Sequence, residues 1–452
     1  MRQLLIPLAL AASACSFYAP VIGDCTFSCG EQGACPDGFT CRGAFCRPSS
    51  GPQEDCECHV GATRACGTDE GECSVGTQTC AASGRWGECA GAVGPTAEVC
   101  DGKDNDCDGL TDLGPVKTLI GDNTGPYEGY WRLHGHDAGY TMVTPLALAD
   151  GGMEVRALLF DPEFNPRGQS DVIAAGDWRR VDSNAEGSVV YVGYREGGDV
   201  RLTRVLVDGA LTHLGTFVDA GYDSRMQVGV NAGGVVTAWV STEASARVAK
   251  WSRQGGPPAV HDLPPLPEGT LWYIDASTDG QYVIMESELA DGGVIDAVQH
   301  VDEPTPRTLT APYWSAARFR TRKNGQLAHL DILDLMGETK VVFYRDFLTQ
   351  AADGHMVVEE AGRWHDSDFV LDDADDLIAA YVNEQTQRLV LARVEGTSSS
   401  DQQVTRFILE GVTVPITAAS GNVRLAKVPQ DPMYGLTWST RNKTFARRFC
   451  AP

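Results

Sequence analysis

The chain has 452 residues, of which 36 are basic and 61 acidic, so its formal charge is −25. An acidic surplus of this size argues against nucleic-acid binding, which requires a basic face. Glycine contributes 50 residues, and the apolar residues come in short alternating runs that are typical of strands and tight turns. The composition therefore predicts an all-β chain with an acidic exterior.

The N-terminal residues have the pattern of a secretory leader. A short basic segment is followed by an apolar stretch over 4–14 that is too short to span a bilayer. Small residues then precede Cys15, and this arrangement resembles a bacterial lipobox. The resemblance implies a signal peptide over 1–14, lipidation of Cys15 and a lipid-anchored tether over 15–24. The alternative is an ordinary signal peptide cut after residue 14 or 23, which would leave the protein secreted.

The cysteines are concentrated near the N-terminus. Fourteen of the 15 lie between Cys15 and Cys107, and only Cys450 lies beyond them. This density predicts disulfides and an oxidising, extracytoplasmic compartment. Lipidation of Cys15 leaves an even number, so Cys450 is expected to pair with a cysteine of the N-terminal region, although spacing alone does not give the connectivity. The disulfide candidates are Cys25, Cys29, Cys35, Cys41, Cys46, Cys56, Cys58, Cys66, Cys73, Cys80, Cys89, Cys100, Cys107 and Cys450.

Two small cysteine-rich modules are expected, each too poor in apolar residues to fold around a core. The first spans 25–46 and resembles an EGF-like or knottin-like knot, with three bridges if Cys56 joins it. A stretch rich in proline, serine and glycine over 47–55 is interpreted as a linker. The second module spans 56–112.

An acidic run closes the second module. Its five aspartates are close enough to repel one another, and a bound cation would remove that repulsion. Oxygen ligands at alternate positions suit Ca²⁺, and Gly109 permits the sharp bend that such a loop needs. The twelfth position is Pro115 rather than glutamate, so the run is not an EF-hand and resembles a calcium loop of thrombospondin type-3 repeats. The predicted metal ligands are Asp101, Asp104, Asp106, Asp108 and Asp112.

The order of residues over 100–109, Cys-Asp-Gly-Lys-Asp-Asn-Asp-Cys-Asp-Gly, resembles the MopE-type metal-binding motif of secreted and surface proteins of bacteria, myxobacteria especially. The resemblance implies a bacterial surface lipoprotein, anchored in the outer membrane or at the cell surface. It also suggests copper as an alternative metal. Copper favours imidazole and sulfur ligands, so Ca²⁺ is the metal that we expect.

The remaining chain, over 116–452, is built from repeats. A tight turn followed by an apolar strand recurs at intervals of roughly 45 to 50 residues. Four short strands in each repeat of this length indicate a propeller blade, so seven repeats predict a seven-bladed β-propeller. We expect 116–120 to complete the seventh blade beside 444–449, because an unclosed propeller exposes a strand edge. The expected turns are 137–139, 185–187, 232–234, 278–280, 323–325, 374–376 and 419–421.

No catalytic motif is present. The sequence contains no nucleophile elbow, phosphate-binding glycine loop or His-Glu-x-x-His zinc motif. His134 and His136 are interpreted as solvated turn residues, and the aspartates of 366–376 as a solvated blade turn. The predicted function is a non-enzymatic surface protein whose propeller binds a protein or a glycan.

The alternative function is a propeller hydrolase or lyase that acts on a sugar or a lactone. Catalytic residues of such an enzyme come from different blades and escape short motifs. Carboxylates or histidines that converge on the mouth of the channel would favour it.

Overall fold

The computed structural model describes most of the chain beyond the leader, and the predicted signal peptide, Cys15 and the tether lie outside the described residues. Among the residues described, no helix is long and apolar enough to cross a bilayer. The described ranges are 25–50, 55–121, 131–176, 178–219, 226–241, 245–266, 269–290, 294–303, 307–309, 318–335, 338–344, 357–358, 367–383, 386–395, 403–413, 423–440 and 443–451.

The chain divides into two compact units, 1–97 with 104–111 and 98–103 with 112–452. The first unit contains two small antiparallel sheets of two strands each. Its elements are the 3₁₀ turn η1 (Glu31–Gly33) and the strands β1 (Phe39–Arg42), β2 (Phe45–Pro48), β3 (Thr63–Cys66) and β4 (Gly76–Thr79).

Disulfides take the place of a hydrophobic core in the first unit. Short strands with half-exposed side chains bury too little apolar area to hold such a unit together, so cross-links must restrict the unfolded chain instead. The bridges are Cys25–Cys56, Cys29–Cys41, Cys35–Cys46, Cys58–Cys80, Cys66–Cys89 and Cys73–Cys107. Cys56 does complete three bridges with the first five cysteines.

The second unit is a seven-bladed β-propeller, which confirms the predicted fold class. Each blade is an antiparallel sheet whose strands follow one another from the centre outward. Blade 1 comprises β6 (Arg132–His136), β7 (Gly139–Ala147), β8 (Met153–Phe160), β9 (Pro166–Gln169) and β10 (Ala174–Ala175); blade 2, β11 (Trp178–Glu186), β12 (Val189–Glu196), β13 (Asp199–Leu206) and β14 (Leu211–Phe217); blade 3, β15 (Met226–Asn231), β16 (Gly234–Val240), β17 (Ala246–Trp251) and β18 (Ala259–Asp262).

The remaining blades have the same plan, and the seventh takes its outer strand from the beginning of the unit. Blade 4 comprises β19 (Thr270–Ala276), β20 (Tyr282–Glu288), β21 (Val294–His300) and β22 (Arg307–Leu309); blade 5, β23 (Arg318–Thr321), β24 (Leu327–Leu335), β25 (Glu338–Tyr344) and β26 (Val357–Val358); blade 6, β27 (Ser367–Leu371), β28 (Leu377–Val382), β29 (Arg388–Glu395) and β30 (Gln403–Thr413); blade 7, β31 (Val423–Lys427), β32 (Met433–Thr440), β33 (Lys443–Cys450) and β5 (Lys117–Ile120).

The blades form a closed ring. Each first strand contacts the first strand of the next blade, and β31 of blade 7 contacts β6 of blade 1. Second strands such as β16 are buried along their whole length, because neighbouring blades cover both of their faces. The hydrophobic core is therefore a series of layers between adjacent blades.

The seventh blade is closed in the predicted way. In this blade β5 pairs with β33, and Phe445 lies opposite Thr118. Leu113 forms a further bridge with Phe449. A seventh disulfide, Cys100–Cys450, joins two residues that are 350 positions apart within the same unit. Both a strand and a covalent bond therefore join the two ends of the propeller.

One repeat was assigned wrongly from the sequence. The first six expected turns precede the second strand of a blade, whereas the strand after the expected turn at 419–421, Val423–Lys427, is a first strand, β31. The expected turn itself lies outside the described residues. The turn between the first two strands spans 428–432, where Gln430 has a φ of 63°. This turn was not among those expected from the sequence.

Candidate functional site

The first strands of the seven blades each contribute at least one polar side chain to the centre of the propeller. Seven of these side chains, one from each blade and called the channel ring below, line a cavity with an interior of about 50 Å³. In blade order they are Arg132, Asp182, Gln227, Asp275, Arg320, Asp368 and Arg424.

Carboxylates of the channel ring bind the backbone of the following blade. Asp182 accepts a hydrogen bond from the amide of Val228 in blade 3, at 2.8 Å. Asp368 accepts one from the amide of Leu425 in blade 7, at 3.0 Å. Asp182 and Asp368 therefore each hold the first strand of the next blade, whereas Asp275 accepts a hydrogen bond from the amide of Ala276 on its own strand.

Arginines of the ring make the complementary contact with backbone carbonyl groups. The Nε of Arg320 donates to the carbonyl of Phe369 in blade 6, at 3.2 Å. The Nε of Arg424 donates to the carbonyl of Trp131, beside blade 1, at 3.1 Å. This last hydrogen bond crosses the junction where the first and last blades meet.

Ring side chains also pair with one another. The Nε of Arg132 lies 2.7 Å from a carboxylate oxygen of Asp182, and Arg320 lies 3.3 Å from Asp368. Gln227 connects two carboxylates: with its amide nitrogen turned towards them, that nitrogen lies 2.9 Å from Asp182 and 3.3 Å from Asp275. The ring is thus a chain of polar contacts that links neighbouring blades.

His134 lies in the same channel and is not a solvated turn residue, which corrects the sequence interpretation. Its Nε2 is 2.8 Å from the hydroxyl oxygen of Ser183 in blade 2. Burial, with the nearby charges of Arg320 and Arg132, lowers the pKa of His134 to about 3. The imidazole is therefore neutral at physiological pH and a weak base. His136 is also buried, and its ring hydrogen-bonds to Thr141.

The convergence of carboxylates, arginines and a histidine meets the criterion set for the enzyme alternative. The contacts of these groups, however, do not favour catalysis. Asp182 and Asp368 accept backbone amides and pair with arginines, and His134 has a pKa too low for a general base near neutral pH. The arrangement suits recognition of charge better than proton transfer.

The acidic stretch of blade 6 forms ion pairs with neighbouring blades, while Asp373 is as solvated as the sequence predicted, with 81% of its side chain exposed. Asp375 pairs with Arg322 of blade 5 at 3.2 Å, and Asp373 pairs with Lys427 of blade 7 at 2.9 Å. Arg393 of blade 6 reaches both Asp372, at 3.4 Å, and Asp376, at 3.2 Å. Asp368 belongs to the channel ring, and Asp366 lies outside the described residues. The aspartates thus connect three blades.

Three of the predicted metal ligands, Asp104, Asp106 and Asp108, belong to the first unit. The carboxylate of Asp104 accepts hydrogen bonds from the amides of Asp108, at 3.2 Å, and Gly109, at 3.0 Å. Gly109 has a φ of +87°, which supports the sharp bend expected of it. The disulfide to Cys73 holds this loop at Cys107.

The other two predicted ligands, Asp101 and Asp112, belong to the propeller unit. The carboxylate of Asp112 accepts hydrogen bonds from the amides of Asp101, at 3.2 Å, and Gly102, at 3.1 Å. The carboxylate of Asp101 accepts one from the amide of Lys103. These two side chains therefore stabilise a local turn.

Glu70 is an acidic neighbour of the loop that the sequence analysis missed. A Cβ atom placed on Gly109 would lie 2.8 Å from a carboxylate oxygen of Glu70. The backbone agrees, because the amide of Glu72 donates to the carbonyl of Asp104 at 2.9 Å. The spacing of residues in the sequence does not reveal that Glu70 lies near the acidic loop. The pairing of Cys73 with Cys107 would have revealed it, because this disulfide joins the two segments.

Comparisons with known proteins find similarity of fold only. No protein-family model and no curated protein matches the chain. A chain in a crystal structure of a mitotic checkpoint complex is similar with a TM-score of 0.49 and 13% identity, over 76% of this chain and 93% of that one. The WD40 domain of Toxoplasma gondii coronin gives 0.49 and 10%, over 75% and 87%. A prolyl endopeptidase structure gives 0.43 and 12%, over 71% and 47%. The assignment as a propeller rests on the seven sheets themselves.

Proposed function

We propose that this protein is a non-enzymatic, extracytoplasmic surface protein of a bacterium, whose propeller binds a protein or a glycan. The observation that carries the proposal is the set of contacts made by the charged side chains of the channel. Aspartates and arginines join neighbouring blades, and His134 is a weak base. Seven disulfides support an oxidising compartment. A propeller closed by a strand and a covalent bond is suited to presenting a rigid binding surface.

The binding proposal is tested with the mature full-length protein on a glycan array and by cross-linking on intact cells of the source organism. We expect a defined protein or glycan to bind saturably. Turnover of sugars or lactones would instead support the enzyme alternative, which one observation favours: the contact between His134 and Ser183. Loss of that turnover in Ser183→Ala would establish it and refute the binding proposal.

We further propose that Cys15 carries a lipid and anchors the protein in the outer membrane. The small residues that precede Cys15 support this, as does the resemblance to a lipobox. Labelling with radioactive palmitate tests it. The wild type should incorporate label and fractionate with membranes, whereas Cys15→Ser should do neither. A wild-type protein that remains unlabelled and appears in the medium would show that it is secreted.

The loop of Asp104, Asp106 and Asp108 is proposed to bind Ca²⁺. Carboxylate oxygens of Asp104 and Asp106 lie within 4.8 Å of each other, and neither imidazole nor free thiolate belongs to the loop, so its donors fit Ca²⁺ better than copper. The hydrogen bonds that Asp104 accepts from two backbone amides hold the loop in a bent conformation. A bound ion would neutralise the mutual repulsion of the carboxylates and stiffen the loop.

Metal content of the purified protein, followed by calcium titration, tests this assignment. We expect one tightly held Ca²⁺ and a melting temperature that chelator lowers. Asp106→Asn with Asp108→Asn should abolish both effects, whereas Asp150→Asn, a change in an exposed turn of blade 1, should not. Stoichiometric copper would show that the metal is misassigned, and an unchanged melting temperature with chelator would refute the structural role of calcium.

A further inference from the structure

The channel ring separates its charges into two arcs. Asp182, Gln227 and Asp275 come from blades 2 to 4 and form an acidic arc. The opposite arc is formed by blades 5, 6, 7 and 1, which supply three arginines and one aspartate. Counting full charges, the acidic arc carries −2 and the basic arc +2. Because the blades form a closed ring, the two arcs face each other across the cavity.

The charged side chains of the channel ring are poorly solvated. Asp182, Asp275 and Asp368 are 5%, 6% and 3% exposed, and Arg424 is 2% exposed. Burial of so many ions is costly, and apolar side chains of similar size often stabilise a fold as well or better. Polar contacts between blades account for the pairing of the charges but not for their segregation into arcs. An electric field directed across the cavity is the consequence.

The remaining lining of the cavity is polar and close to neutral. Ser183, Asn184 and Thr278 supply hydroxyl and amide groups, and His134 is uncharged at neutral pH. The interior of the cavity is about 50 Å³, which is room for only a few water-sized groups and restricts a ligand to a few heavy atoms. The arcs thus provide opposite charges and neutral hydrogen-bonding groups within one small cavity, and they meet where Arg132 pairs with Asp182.

We propose that the propeller channel binds a small zwitterion of the α-amino acid class. The carboxylate of the ligand faces Arg132 and Arg424, which lie on adjacent blades and whose guanidinium groups match carboxylate geometry. The ammonium group faces the carboxylates of Asp182 and Asp275. This site goes beyond the protein or glycan binding proposed above and does not depend on it.

Four probes test the proposal with the mature full-length protein. Calorimetry and thermal unfolding are measured with glycine, L-alanine, sodium acetate and methylammonium chloride at matched ionic strength. We expect at least one of the two amino acids to bind saturably and to raise the melting temperature, with an affinity at least about tenfold above that of acetate or methylammonium. Acetate or methylammonium binding as tightly as the amino acids would overturn the proposal, as would binding of none of the four.

Gln227→Lys provides a sharper variant than deletion of a ring charge. The lysine ammonium is expected to take the place of the Gln227 amide nitrogen beside Asp182 and Asp275 and to neutralise the negative charge that attracts the ammonium group of the ligand. The variant should therefore stay folded and lose amino-acid binding. Gln281→Lys, the same change on an exposed turn of blade 4, should bind like the wild type. If Gln227→Lys melts no lower than Gln281→Lys and still binds the amino acid, the assignment of the acidic arc is wrong.

If Gln227→Lys unfolds, Thr278→Val decides the question instead. It leaves every charge of the lining in place and removes a hydroxyl whose oxygen also accepts a hydrogen bond from the amide of Thr321 at 3.0 Å. We expect this variant to fold and to bind the amino acid more weakly than the wild type. Undiminished binding would place the ligand outside the cavity and overturn the proposal.

Discussion

Replacing Cys100 and Cys450 by serine tests how the propeller is held closed. The two residues are 350 positions apart, so their disulfide closes almost the entire propeller into one covalent loop. In the chain-entropy model, such a loop restricts the unfolded state by ~20 cal/mol/K, or about 6 kcal/mol at 25 °C. The pairing of β5 with β33 remains in the variant. We therefore expect a folded propeller that is less stable by several kcal/mol.

The assay is equilibrium unfolding in urea without reductant, followed by tryptophan fluorescence. Eight of the 9 tryptophans lie in the propeller unit and Trp86 lies in the first unit, so the signal reports mainly on the propeller. Removal of Cys29–Cys41 is the control. This bridge closes only 12 positions of the first unit, for which the same model gives about 3 kcal/mol, and its loss should leave the propeller transition unchanged.

A loss of less than about 1 kcal/mol in the Cys100→Ser/Cys450→Ser variant would refute the reasoning, because loops of this length give the largest entropic effect. Such a result would mean that the unfolded propeller is already compact, so that the disulfide removes little of its conformational entropy. Limited proteolysis adds a second readout. Cleavage near residue 116 should accelerate in the variant if the disulfide prevents β5 from opening.

Three further variants test the ring of blades. Gly435→Val should destabilise the protein by ~1–3 kcal/mol in urea unfolding, since even a Cβ there would lie 2.5 Å from the Tyr140 ring; a neutral effect would show that blades 7 and 1 are loosely packed. Asp368→Ala should cost about 1–3 kcal/mol, because the buried amide of Leu425 loses its acceptor while Arg320 keeps the carbonyl of Phe369; no measurable loss would show that Asp368 does not hold blade 7 to blade 6. His134→Gln should reduce acid sensitivity: the native pKa is about 3 against an ordinary 6.5, so the wild type loses stability as the pH falls from 6.5 towards 3, by at most ~1.4 kcal/mol per pH unit. Identical pH profiles of the two proteins would exclude this contribution.

The sequence by itself determined the architecture of the second unit. Turn residues at a regular interval, each followed by an apolar strand, indicated seven blades, and the apolar run at 116–120 indicated the closing strand. These signals are local, because alternation of side chains and the demands of a tight turn act over a few residues. The seventh repeat is the exception, because the strand predicted there, Val423–Lys427, is a first strand, and the turn at 428–432, where Gln430 has a positive φ, was not predicted.

Only the tertiary structure decided where the charges lie. Asp368 and Asp372 belong to one acidic stretch, yet the first enters the channel ring and the second joins a belt of ion pairs between blades. His134 was expected in water and is found beside Ser183, 49 positions away. Each of these environments is assembled from strands of different blades, whose register and order around the ring set the distances. The sequence of a single strand shows which side chains share a face of that strand. It does not show which residues of other strands will neutralise or bury them.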